Sequence, residues 1–169
     1  VNNAGIMRAE KLLEQPDDLA DAVAIVTTNL LGPIRLTQAF LPLLRKQPRS
    51  AIVTVSSGLA FVPLAMTPTY NATKAAIHSY SQSLRAQLAG TTTEVIELVP
   101  PGVQTDLLPG QKANPEMMPL ADYIAETMQL LKTQPNAHEV LVERVKFLRN
   151  AEAEGRYAQT FAALNRTRH

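Results

Sequence analysis

The chain has 169 residues, 46% hydrophobic and 18% charged, enough apolar material for one core and a single domain over residues 1–169. Sixteen Lys and Arg against fifteen Asp and Glu give a formal charge of +1, so neither the basic field of a nucleic-acid binder nor an acidic field for a cationic partner is present. The absence of cysteine excludes disulfides, thiolate metal sites and cysteine nucleophiles, and it suits a reducing, cytoplasmic setting.

In chain order, VNNAGIM reads as the end of a buried strand turning into a loop, and Arg8, Glu10 and Lys11 interrupt any secretory pattern. From about Pro16 to Lys46, Leu19, Val23, Val26, Leu30, Ile34, Phe40 and Leu44 recur at helical spacing, with Asp17 and Asp18 favouring the N-terminal end. This predicts one long helix with irregularities at Gly32-Pro33 and Pro42. The most apolar stretch, Asn29 to Leu44, is too short and too polar to span a bilayer. Ala51–Val55 is a β-branched run of the kind buried in parallel sheets. Thr69 to Leu88, without internal Gly or Pro, is a second helix that ends near Gly90. Glu94–Val99 is a further strand, stopped by Pro100-Pro101-Gly102. A polar stretch then leads to a helix from about Leu120 to Lys132, a short strand Glu139–Val142, and an amphipathic helical tail over residues 143–169 whose last four residues fray.

Strands alternating with crossover helices imply βαβ units, a parallel sheet and a three-layer α/β fold. Ligands of such sheets bind beyond the carboxyl ends of the strands, which directs attention to loops 2–5, 56–68 and 100–119. Tyr70 and Lys74 lie four apart on a predicted helix and share a face. A phenol has an ordinary pKa of about 10, and a neighbouring ammonium is expected to lower it, which makes the pair a tunable proton donor. The same spacing also fits a surface tyrosine beside a solvated lysine. Of the four tyrosines, only Tyr70 has a lysine at this position. Ser57, thirteen positions earlier in VTVSSG, places a hydroxyl where it can polarise a carbonyl oxygen, or else caps backbone groups of its loop. A serine-hydrolase arrangement would require Ser57 to meet His78 or His138, and the chain has no GxSxG elbow. His138 and His169 have no ligand-like spacing, so no metal is expected.

VNNAGIM, Asn29 in TTNLLGP, VTVSSG, YNATKAA and LVPPGVQTDL occur in the order and approximate spacing of the short-chain dehydrogenase/reductase family, which the chain resembles from Val1 to about Leu107. YNATKAAIHSYSQSLRAQL, VIELVPPGVQTDL and VERVKFLRNAEAEGRY are similar to the branch containing the DltE-like oxidoreductases. The resemblance implies a Rossmann-like fold, NAD or NADP as cofactor, and hydride transfer between nicotinamide and a carbonyl compound or secondary alcohol. It implies Tyr70 as general acid/base, Lys74 as the group that lowers the Tyr70 pKa and holds the nicotinamide ribose, and Ser57 as the residue that orients the substrate oxygen. Asn29 would hold a water linking Lys74 to solvent. Asn3, Ala4 and Gly5 would line the cofactor, and Pro101, Gly102, Val103 and Thr105 would meet its nicotinamide end. Residues 106–119 correspond to a substrate lid, in which Met117 and Met118 serve as an apolar floor or as a hydrophobic anchor. Helices 16–46 and 69–88 resemble the pair that forms homodimers or homotetramers in the family.

The family's TGxxxGxG turn has no counterpart among the 169 residues. The expectation is a chain that starts at the end of a central strand and has the nicotinamide half of the fold without the adenosine half. Such a chain exposes a sheet edge and binds cofactor weakly or not at all unaided. A non-catalytic remnant or dimerisation module therefore stands beside the oxidoreductase reading.

Overall fold

The computed structural model describes residues 1–14 and 19–166. Strands β1 (Ser50–Val55), β2 (Thr93–Leu98) and β3 (Glu139–Val140) form a parallel sheet in which spatial order follows chain order. β1 and β2 pair from Ser50 opposite Thr93 to Val55 opposite Leu98. β3 contributes only Glu139 and Val140, opposite Glu97 and Leu98. It is shorter than the expected 139–142 because the ladder ends at Val140, after which Leu141 and Val142 lead into a 3-10 turn over Glu143–Val145. At the other edge Asn2 forms one parallel bridge with Thr54, and its N–H donates to the Val53 carbonyl at 2.7 Å. The expected NNAG loop thus leaves the sheet beside β1.

The long helix runs from Ala20 to Leu44 in three consecutive pieces: α1 (Ala20–Val26), a π-turn Thr27–Leu31, and α2 (Gly32–Leu44). Its expected beginning at Pro16, with Asp17 and Asp18, lies outside the described residues, while Leu19 precedes the first helical residue. Pro33 accounts for the π-turn: it has no N–H for the Asn29 carbonyl four residues back, and its ring would crowd that carbonyl. The Gly32 N–H reaches the Thr27 carbonyl, five residues back. Pro42 is accommodated inside α2, so the second expected irregularity does not break the helix.

α3 (Pro68–Gln87) begins with a proline, whose missing N–H would be without an intrahelical partner at that position anyway. It covers the sheet through Leu84 and Leu88, which pack with Ile52 of β1 and Val95 of β2, and Leu41 and Leu44 of α2 close the same cluster. A second cluster joins Val99, Met118, Val142 and Val145, with Phe61 and Tyr123 packed against it. Tyr123 comes from α4 (Leu120–Thr133). Leu36, Phe40 and Leu43 on α2 remain about half exposed. Among the described residues no helix is long and apolar enough to cross a membrane.

The continuous helical tail expected over 143–169 is instead broken into α5 (Lys146–Arg149) and α6 (Tyr157–Leu164). Gly155 lies between them at φ 67, a left-handed conformation that ends helices. The tail braces the loop after β1: a Cβ on Gly58 would come within 2.9 Å of Val145 and 2.8 Å of Leu148. Asn165 fastens the other end by accepting from the Ala65 N–H at 2.5 Å and donating to the Pro63 carbonyl at 3.1 Å. The tail's last residues, 167–169, lie outside the described residues.

Candidate active site

A cavity of about 500 Å³ opens at the carboxyl ends of β1 and β2. Asn3 and Gly5 reach it from the first loop, and Ser57 from the turn after β1. Tyr70 and Lys74 enter from the first turns of α3, and Pro101, Val103 and Thr105 from the loop after β2. Each arrives because its strand or helix ends or begins there, the arrangement that makes such crevices binding sites.

Tyr70 and Lys74 are each 5% exposed. The Lys74 Nζ donates to the Val55 carbonyl at 2.8 Å and lies 5.5 Å from the centre of the Tyr70 ring. Burial lowers the Lys74 pKa to about 8. Burial also raises the Tyr70 pKa to about 12, with an opposing pull from the Ser57 side chain. The expected lowering of the phenol by Lys74 is therefore overturned: loss of solvent dominates, and the hydroxyl stays protonated near neutrality. Ser57 has extended backbone, and its Oγ accepts from the Leu59 N–H at 3.1 Å.

Asn29 sits in the π-turn, 1% exposed, outside the cavity lining. Its Oδ1 accepts from the Ile6 N–H at 2.8 Å, and its Nδ2 donates to the Ile6 carbonyl at 2.8 Å and to the Thr73 hydroxyl at 3.3 Å. The side chain thereby pins the first loop to α3. The Asn29 main-chain carbonyl has no α-helical donor, because the residue four positions on is Pro33.

Gly5 lies between Asn29 and Lys74: a Cβ there would meet Asn29 Oδ1 at 3.6 Å and Lys74 Nζ at 3.8 Å. Its lack of a side chain keeps this stretch of backbone accessible, and an ammonium with three donors faces it. The residues therefore fit a ribose bearing vicinal hydroxyls.

Ala4 and Gly102, both expected along the cofactor, are absent from the lining. At Gly102 a Cβ would fall 2.3 Å from Met117 Sδ, so the glycine makes room for methionine packing. Met117 and Met118 do not floor the cavity either: Met118 is buried in the second core cluster and its N–H donates to the Gly102 carbonyl at 2.9 Å. The anchoring role expected as the alternative is the one observed. The segment 106–119 is held at both ends, by a parallel bridge between Val103 and Met118 and by Gln111. Gln111 Nε2 donates to the Val103 carbonyl at 2.7 Å and to the Thr105 hydroxyl at 3.2 Å.

Gln111, Leu107, Leu120 and Tyr123 line the cavity without having been singled out in the sequence. The one usable signal was Pro109-Gly110, since Gly110 adopts φ 78 and starts the turn that returns Gln111 to Thr105.

His78 does not approach Ser57. Its Nδ1 lies 2.9 Å from Oε2 of the fully buried Glu97, and its ring packs against Phe61 at 4.7 Å. The His138 carbonyl accepts from the Glu97 N–H at 2.9 Å, as part of the sheet. The hydrolase arrangement is thus not formed. His78, Glu97 and Glu139 bring donor atoms within 4.8 Å of one another, a proximity created by the adjacency of β2 and β3 and invisible in sequence spacing. Glu139 is engaged by Arg149 at 2.6 and 3.0 Å, and the guanidinium also sits 4.4 Å over Phe61.

A family model described as short chain dehydrogenase matches residues 1–116. The oxidoreductase DltE of Bacillus subtilis is 39% identical over 171 residues, covering 98% of this chain and 66% of its own length. An oxidoreductase of Staphylococcus epidermidis is 32% identical, covering 86% of this chain and 64% of its own. The chain thus spans about two thirds of the length of these curated relatives. Among solved structures, a short chain dehydrogenase from Burkholderia cenocepacia in complex with NADP superposes with a TM-score of 0.80 at 27% identity, over 98% of this chain and 69% of that one. A short-chain dehydrogenase from Sphingobium yanoikuyae in complex with NADPH shares the fold, with a TM-score of 0.70 at 23% identity over 90% and 62% of the two chains.

Proposed function

The chain belongs to the short-chain dehydrogenase family, and from that premise we propose that it carries the catalytic site of an NAD- or NADP-dependent oxidoreductase acting on a carbonyl compound or secondary alcohol. The observation that carries the reading is the convergence of Ser57, Tyr70 and Lys74 on one cavity at the strand ends. The presence of NADP and NADPH in the solved relatives supports a nicotinamide cofactor.

A bound nicotinamide supplies the hydride in reduction and accepts it in oxidation. The chain's own part is proton transfer and positioning. Tyr70, kept neutral by burial, donates its hydroxyl proton to the carbonyl oxygen as charge develops there, and takes one back in the reverse direction. Ser57 donates a hydrogen bond to the same oxygen and fixes its orientation. Lys74, anchored on the Val55 carbonyl, would use its remaining donors to hold the ribose hydroxyls of the cofactor. Its charge stabilises the phenolate left on Tyr70 after transfer. Asn29 would hold a water that links Lys74 to solvent. Pro101, Val103 and Thr105 would hold the nicotinamide end of the cofactor.

A dimer through α1–α2 and α3 belongs to the same reading, supported by the half-exposed Leu36, Phe40 and Leu43, as does a cytoplasmic location. A second reading is a remnant or dimerisation module that does not hold cofactor unaided. Titration with NADH and NADPH, followed by reduced-nicotinamide fluorescence, separates the two. Saturable binding that weakens in Lys74→Met supports the enzyme, and absence of binding supports the remnant.

A further inference from the structure

Past Ser57 and Tyr70 the cavity is walled by Leu107, Leu120 and Tyr123, from the 106–119 segment and the first turn of α4. Burial pushes the Tyr123 phenol above its ordinary pKa, so this wall is uncharged near neutrality. Among the described residues the lining contains one cation, Lys74, which is turned toward the Val55 carbonyl on the Gly5 side. Among the same described residues it contains one carboxylate, Asp106, which is exposed and ion-paired with Lys112 at 3.2 Å. A carboxylate or phosphate on the substrate would find no cationic partner among the residues of this wall. Removing an anion from water without a partner is unfavourable, whereas burying apolar surface is favourable.

We infer that the site takes uncharged ketones or aldehydes, or the matching alcohols, whose aryl or branched alkyl substituent seats against Leu107, Leu120 and Tyr123, and that it rejects anionic analogues. The inference rests on the oxidoreductase reading, because Ser57 and Tyr70 fix which end of the molecule carries the oxygen. A volume near 500 Å³ admits one small aromatic molecule beside a nicotinamide ring.

The test is a ligand-observed NMR titration of the chain with two probes of similar shape, para-ethylacetophenone and para-acetylbenzoate. The neutral ketone should bind about tenfold more tightly or better, the imprint of an anion set without a partner against an uncharged wall. Leu120→Lys, at a position 43% exposed and therefore tolerant of charge, should move the preference toward the carboxylate, and Leu107→Lys should do the same. Equal affinity for the two probes, tighter binding of the carboxylate, a preference unmoved in both lysine variants, or no saturable binding of either probe would overturn the inference. The readout is binding, so failure here leaves the hydride-transfer reading standing. A protein that shows the preference but transfers no hydride counts against that reading alone.

Discussion

The carboxylate of Glu10 accepts hydrogen bonds from both the backbone N–H and the hydroxyl of Thr69, at 2.9 and 2.7 Å. Thr69 is the residue before Tyr70 and lies in the first turn of α3, where the N–H groups have no intrahelical partners and the helix dipole favours negative charge. The Glu10 N–H in turn donates to the Met66 carbonyl at 2.9 Å, so the loop and the helix start are joined at two levels. Glu10→Ala should lower stability by about 1 kcal/mol, the usual value of a lost helix cap. Glu10→Gln, which keeps one acceptor, should recover part of it. Urea unfolding of the two variants measures both.

The pH dependence of stability should carry the mark of Lys74. Its pKa falls from 10.5 unfolded to about 8 folded, so between those values the unfolded chain binds the additional proton and stability rises with pH. Tyr70 acts in the opposite sense at higher pH: with a pKa raised from 10.0 to about 12, the folded state keeps a proton that the unfolded state has lost, and stability falls over that window. Melting temperatures of the protein and of Lys74→Met across this range test the first effect. The difference between them should shift in favour of the unaltered protein from pH 8 upward.

Arg149 stands between two carboxylates of adjacent strands, paired with Glu139 and near the buried Glu97. Its hydrogen bond to Glu139, before any other influence, holds that carboxyl below its ordinary range. The resulting stability is present above the unfolded carboxylate pKa and is lost as pH falls through the folded one. Arg149→Met should destabilise by about 2 kcal/mol, less than a fully buried pair because both partners are partly exposed. It should also move the onset of acid unfolding to higher pH. Adding Glu139→Gln should restore part of the loss in a double-mutant cycle.

Gly102 and Met117 form a second coupled pair. Gly102→Ala places a methyl group where Met117 Sδ lies and should cost about 1 kcal/mol, the low end for overpacking because a methionine can yield. Met117→Ala should make the same alanine nearly neutral. Equal effects of Gly102→Ala in both backgrounds, measured by thermal unfolding, would remove Met117 as the cause.

Much of the scaffold was legible because its signals are local. The β-branched run ending at Val55, the uninterrupted α3 and the stop at Pro100-Pro101 each follow from neighbours in sequence, and their order implied the parallel sheet. The π-turn was foreshadowed by Gly32-Pro33, since proline acts on the residue four positions back. What stayed hidden depends on distant partners. Glu10 meets Thr69 across 59 positions, and Met117 fills the space beside Gly102. The charged cluster of Glu97, Glu139 and Arg149 exists only once β2 and β3 are neighbours. The direction of the Tyr70 shift is hidden for a related reason: spacing reveals a nearby lysine, but burial decides which influence dominates. The tail reads as one amphipathic helix in sequence, and the left-handed turn at Gly155 appears only in three dimensions.

The most direct test of the proposed chemistry is the reduction of para-ethylacetophenone by NADPH or NADH, followed by loss of reduced-nicotinamide absorbance, with Tyr70→Phe beside the unaltered protein. Removing the proton donor should lower turnover by about 10³-fold, while binding of the reduced cofactor, read by its fluorescence, changes little. Turnover retained in Tyr70→Phe would contradict the assignment of Tyr70 as the group that gives its proton to the carbonyl oxygen.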